Sequence, residues 1–240
     1  MKLFRWRDFP WLDSEFARAR WMYAIGLCYL LAGYLATNEI AALNPWNRPA
    51  LPIATQLDKI IPFTPSMVIF YFLYYPILAT PLLFAADAIS LTRLALAQVS
   101  TQSLAYIVFL AFPTPIERPP AVPVEGVFHF LLDLLFRADH PFNTFPSMHV
   151  AQSCIVAIFF LKYAGRWPFS RSRSGSPHAK ALRANRVAVV VLWFHGFAAI
   201  TVSASAVMIK QHYVADAAAG FLLAGLMSFI FFRKPQLTSA

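Results

Sequence analysis

Charge is scarce in this chain: Asp, Glu, Lys and Arg make up 13% of its 240 residues. Soluble domains carry about 25%, so the composition points away from an ordinary water-exposed surface. Cysteine is scarce too. Cys28 and Cys154 both fall inside apolar runs, which argues against a disulfide framework and leaves packing as small hydrophobes as their role. The chain has no His-Glu-x-x-His, no cysteine pair and no dense run of carboxylates, so no metal site is expected. No glycine-rich loop offers a flavin or nicotinamide site, and no cofactor is expected. Period-two alternation is missing, which disfavours the strands of a membrane barrel.

Hydrophobic residues, by contrast, reach 59%. About twenty apolar residues at ~1.5 Å rise cross a hydrocarbon core, and six stretches approach that length, near 21–38, 66–86, 91–112, 147–164, 187–207 and 213–232. The expected fold is therefore all-α: a polytopic membrane protein, a bundle of six transmembrane helices forming one domain over 1–240. The stretch near 21–37 is followed by Thr37, Asn38 and Glu39 and then by further membrane pattern, so it reads as a retained span rather than a cleaved signal.

With six spans both termini share a side. That side collects Lys2, Arg5, Arg7, Arg18, Arg20 and Arg93, the basic loop 166–186 and Arg233 and Lys234; the other carries only Arg48, Lys59, Arg118, Arg137 and Lys210. The positive-inside rule places the termini and loop 166–186 in the cytoplasm, and the loops at 39–65, 113–146 and 206–212 on the extracytoplasmic face, periplasmic or luminal. Basic charge interleaved with spanning runs serves orientation, so nucleic acid is not the expected partner. The membrane is. Residues 1–20, with Trp6, Phe9, Trp11 and Phe16 among basic residues, suit an interfacial N-terminal arm. No pattern fixes an oligomeric state.

The outward segments hold the chemistry: "PTPIERPP" at 113–120, "FNTFPSMH" at 142–149 and "SAVMIKQHYVAD" at 205–216. Pro146 suits a first helical turn. The N–H groups after it, beginning with Met148, would lack intrahelical acceptors and attract an anion. Ser147 adds a hydroxyl and His149 an ionisable imidazole; the bland alternative is a capping serine and a packed histidine. His212 and Asp216 are four apart, one face of a helix, where the carboxylate can fix the ring's tautomer. Lys210 lies two residues earlier, within reach of a phosphate oxygen. Arg137 is expected to pair with Asp133, and His195, inside the fifth span, to make a helix–helix hydrogen bond.

"FPSMHVA" followed some sixty residues later by "KQHYVADAAAG" resembles the second and third motifs of the type 2 phosphatidic acid phosphatase superfamily, which also includes vanadium haloperoxidases. The stretch "LDKIIPFTPSMVIFYFLYYP" at 57–76 resembles the branch with inositol phosphorylceramide and sphingomyelin synthases. The resemblance implies that His212 attacks phosphorus, Asp216 orients it and His149 protonates the leaving alcohol. Arg118, Ser147, the Met148 N–H and Lys210 would hold the phosphate. Two positions depart from the phosphatase pattern: Ala111 stands where the first motif has Lys, and Ala206 where the third has Arg. The implied activity is hydrolysis of a lipid phosphate or diphosphate through a phosphohistidine. Transfer of a phospho-head-group to a lipid alcohol is the alternative, and a non-enzymatic transporter or scaffold is the rival from another class.

Overall fold

The computed structural model describes residues 14–43, 53–119, 125–163 and 177–233, with side chains from 189 onward in the last segment. Most of the expected interfacial arm (1–13) and the core of the basic loop (164–176) lie outside the described residues.

Among the described residues the structure is helical, with one isolated bridge between Thr114 and Asn143. The helices are α1 (Glu15–Leu43), α2 (Gln56–Ile60), α3 (Val68–Phe72), α4 (Tyr74–Phe84), α5 (Ala88–Ala111), α6 (Val127–Ala138), α7 (Met148–Tyr163), α8 (Pro177–Met208) and α9 (Val214–Phe231). Among the described residues five stretches are long and apolar enough to cross a membrane: α1, the run Pro65–Phe84 containing α3 and α4, α5, the Val189–Met208 part of α8, and α9.

The stretch expected near 147–164 becomes α7, a helix of 16 residues. At 1.5 Å per residue it is about 24 Å long, shorter than the ~30 Å hydrocarbon core. It is also the most enclosed helix, packed against α4, α5, α8 and α9. Its neighbours meet the surroundings instead, exposing Leu83, Ile107, Trp193, Ile200 and Leu222.

Polar groups mark where helices touch. Gln152 on α7 donates Nε2–H to the Gln98 carbonyl and the Gln102 side-chain oxygen of α5, at 3.1 and 3.2 Å. The Tyr106 hydroxyl reaches back from α5 to the Leu30 carbonyl of α1 at 2.6 Å. His195 binds Thr80 Oγ1 across α8 and α4 at 2.8 Å, an interhelical link. Gly220 lets α9 close onto α7: a Cβ there would lie 2.6 Å from the Ser147 carbonyl oxygen.

One end of the bundle is tied together by its loops. Asn38, near the end of α1, exchanges two 2.8 Å hydrogen bonds with the His140 backbone. Thr114 pairs with the 142–145 segment, donating its N–H to the Phe142 carbonyl and accepting the Phe145 N–H at its Oγ1, both at 3.0 Å. Asn143 braces the same loop through Thr37 Oγ1. The segment 53–64 crosses over as a strap, with Thr64 N–H on the Met208 carbonyl. All three polar segments singled out in the sequence therefore meet at this end.

Candidate active site

The helix start at 147–150 forms one step later than the proline suggests. Ser147 is the N-cap: its carbonyl accepts the Ala151 N–H and its Oγ the Val150 N–H, at 3.0 and 3.4 Å. Pro146 thus precedes the cap, joined to Phe145 by a cis peptide bond. The Ser147 N–H goes to the Asp216 carbonyl at 3.0 Å, pinning the start of α7 to the start of α9. Met148 and His149 supply the remaining first-turn N–H groups. Ser147 is fully buried in the process, so its hydroxyl serves the cap first.

His212 sits in the turn between α8 and α9. Its Nδ1 lies 2.9 Å from the Thr144 carbonyl oxygen and 3.3 Å from Asp216 Oδ2. Both partners accept, so Nδ1 carries the proton and Nε2 keeps a lone pair. Thr144, on the second-motif loop, is the closer of the two. Asp216 Oδ2 also accepts the Tyr213 N–H at 2.8 Å, capping α9; its Oδ1 is buried without a partner.

His149 faces His212 with ring centroids 5.7 Å apart. Two tyrosines hold it. Tyr71 stacks at 4.2 Å with its hydroxyl 3.3 Å from Nδ1, and Tyr74 lies at 4.3 Å on a tilted plane. His149 Nε2 is buried and has no partner. Both histidines are thus oriented at Nδ1, which leaves Nε2 of each ring facing away from those partners.

Arg118 lies in a buried cage. Its Nη1 donates to the Asp139 and Phe136 carbonyls at 2.7 and 3.1 Å, its Nη2 to Gln211 Oε1 at 2.7 Å, and Asp139 Oδ2 stands 3.8 Å away. The guanidinium also lies over the Phe136 ring. Burial pulls the Arg118 pKa below its ordinary value, and Asp139 opposes that pull. Burial likewise lifts the Asp139 carboxyl, against the Tyr34 hydroxyl bond and the charges of Arg118 and His212. Arg118 Nε remains buried and unpaired.

Lys210 goes elsewhere. Its backbone adopts a left-handed φ of 59° after α8, and its ammonium binds the Asp58 and Ile61 carbonyls of the strap at 2.9 and 2.7 Å. The reach toward a phosphate oxygen expected of it is replaced by an anchoring role. Asp58 completes the anchor by accepting the Val214 N–H at the start of α9 at 2.7 Å. Burial alone would raise the Asp58 carboxyl, but bonds from the Thr55 hydroxyl, the Val214 N–H and the Thr55 N–H, with Lys210 nearby, hold it below the usual value.

Arg137 pairs with Asp133 on the exposed face of α6 at 2.9 Å, outside this cluster. Among the described residues no group of three or more His, Cys, Asp or Glu gathers as a metal site would need.

From the inner edge of this cluster a cavity of about 190 Å³ runs between α1 and α4, lined by Leu27, Leu30, Leu31, Tyr34, Tyr74, Tyr75, Leu78, Gln102, Met148 and His149. Leu27, Leu30, Leu31 and Tyr34 form one stripe of α1 at i, i+3, i+4 and i+7. α1 packs along α5 and touches α4 only sparsely, which leaves the gap. Its mouth is bordered by Leu31 and Tyr75, 55% and 48% exposed, and His149 lines its wall.

A sequence model of the PAP2 superfamily matches residues 88–239, from the start of α5 to beyond α9. No match is found among curated proteins or among solved structures.

Proposed function

Because the chain belongs to the PAP2 superfamily, which points to phosphatase or phosphotransferase chemistry, we propose that it is a multi-pass membrane enzyme that cleaves a lipid phosphate or diphosphate ester through a phosphohistidine. The observation that carries this reading is the approach of the two imidazoles, with ring centroids 5.7 Å apart, where His149 Nε2 is buried without a partner and His149 lines an apolar cavity. His212 Nε2 attacks phosphorus while Thr144 and Asp216 hold the Nδ1 proton, and the carboxylate stabilises the positive ring that forms. His149 Nε2 gives its proton to the leaving alcohol and then takes one from the incoming nucleophile. The Met148 and His149 N–H groups at the head of α7, with Arg118, receive the non-bridging oxygens.

The cavity supports a hydrocarbon substrate. Its α1 stripe runs from Leu27 to Tyr34, eight residues and about 10 Å along the helix. A lipid tail enters past Leu31 and Tyr75 and leaves its phosphate at the histidines. In this reading α7 is the sixth span, carried across by the helices around it, and the charge distribution supports a site on the extracytoplasmic face.

Transfer to a lipid alcohol is the second reading. It is favoured by the low exposure of both rings, 7% for His149 and 5% for His212, in a site poor in water.

Purified protein incubated with long-chain and short-chain phosphate esters separates these cases. Phosphate release without an acceptor supports hydrolysis, and a new head-grouped lipid formed only with added lipid alcohol supports transfer. Leu31→Trp, which narrows the mouth, is expected to raise KM for the long-chain ester several-fold and spare the short one. Equal effects on both would remove the cavity from the account, and absence of either product would remove the enzyme reading.

A further inference from the structure

Gln211, the residue before His212, plays no part in the chemistry described so far. It is 3% exposed. Its backbone N–H is fixed on the Ala206 carbonyl, which also accepts the His212 N–H, both at 3.0 Å. Its Oε1 accepts Arg118 Nη2 at 2.7 Å. A guanidinium only donates, so the oxygen end of the carboxamide must face Arg118 and the NH2 end must face away. That Nε2 is buried without a partner, as are Arg118 Nε and His149 Nε2. Leaving three donors or proton carriers unpaired in one interior is costly unless an acceptor arrives to meet them.

The surroundings show what kind of acceptor is wanted. Gln211 directly precedes His212, and Arg118, which it binds, has Asp139 Oδ2 3.8 Å away. The Arg118–Gln211 pair is thus tied to His212 through the chain. Cations are few here: Lys210 is spent on the strap carbonyls, and Ala206, fully buried, offers none.

We propose that Gln211 is a phosphate-binding residue, its Nε2–H donating to a non-bridging oxygen of the substrate's phosphoryl group beside the Arg118 Nε–H. A neutral amide dipole, held in place by the arginine it accepts from, adds a donor where Arg118 is the one cation placed among the described residues of this cluster. The inference rests on the phosphoryl chemistry of the preceding subsection and names one more group that carries it out.

Gln211→Glu tests it on the full-length protein. The glutamate keeps an oxygen for Arg118 and strengthens that bond by charge, but loses the donor and turns negative charge toward the phosphate. A bracing role predicts wild-type activity in this variant. A donor role predicts kcat/KM for a lipid phosphate lowered by about 100-fold or more and orthovanadate inhibition weakened by about tenfold or more. Retention of both overturns the proposal while leaving the enzyme reading intact. Wild-type protein that is folded yet neither binds orthovanadate nor releases phosphate overturns both. If the glutamate variant does not fold, Gln211→Met, of similar volume and without a donor, is read the same way: weakened orthovanadate inhibition supports the donor role, and unchanged inhibition sinks it.

Discussion

Asp216 shows how much one side chain can be asked to do. Its carboxylate caps α9 at the Tyr213 N–H, contacts His212 Nδ1, and leaves one buried oxygen without a partner. The Thr144 carbonyl, nearer to the ring, holds the tautomer independently of it. Asp216→Asn is therefore expected to keep the ring orientation and lose only the charge that offsets a positive imidazole. The loss of a charged hydrogen bond, about 1.5–3 kcal/mol, predicts a fall in kcat of about 10- to 100-fold with little change in KM. Steady-state kinetics checks this; unchanged kcat would show that Thr144 alone suffices. That His149, Ser147, His212 and Asp216 belong together was suggested by their spacing and helix-start context, and Arg118 entered through the family resemblance of its Arg-Pro segment. Thr144 was not legible in the sequence, since its contribution is a backbone carbonyl, nor was Tyr71, 78 residues before the histidine it stacks on. Lys210 was legible as a cation but not by direction: the left-handed turn sends its side chain to the strap.

At the scale of elements, the site depends on two helix starts pressed together. The Ser147 N–H on the Asp216 carbonyl joins α7 to α9, and Gly220, one turn further along α9, meets the Ser147 carbonyl with no room for a methyl group. Gly220→Ala forces that backbone apart, which overpacking costs put at about 1–3 kcal/mol. A lowered unfolding temperature in detergent with lost turnover is expected; unchanged stability would mean the two helices can separate without disturbing the histidines. Hydropathy located the apolar stretches well because length and greasiness suffice for that. It said little about α6, whose twelve residues lie on the surface of the bundle with Phe130 and Leu134 outward. It also missed the strap at 53–64, because its purpose is to hydrogen-bond α8 and α9 rather than to cross anything.

Over the whole molecule, the family match begins at α5, yet α1, α3 and α4 complete the site. Tyr71 and Tyr74 hold His149, Tyr34 binds Asp139 at 2.7 Å, and α1 and α4 form most of the cavity wall. His149, His212 and Asp216 thus lie in the matched part, and most of the apolar cavity wall is built by the part before it. Trapping the covalent intermediate probes the central claim most directly. Rapid quench of the purified protein with a phosphorus-labelled lipid phosphate, followed by peptide mapping, should place an acid-labile label on His212, absent in His212→Ala. Full turnover with no label on His212, or turnover surviving in that variant, would contradict the account.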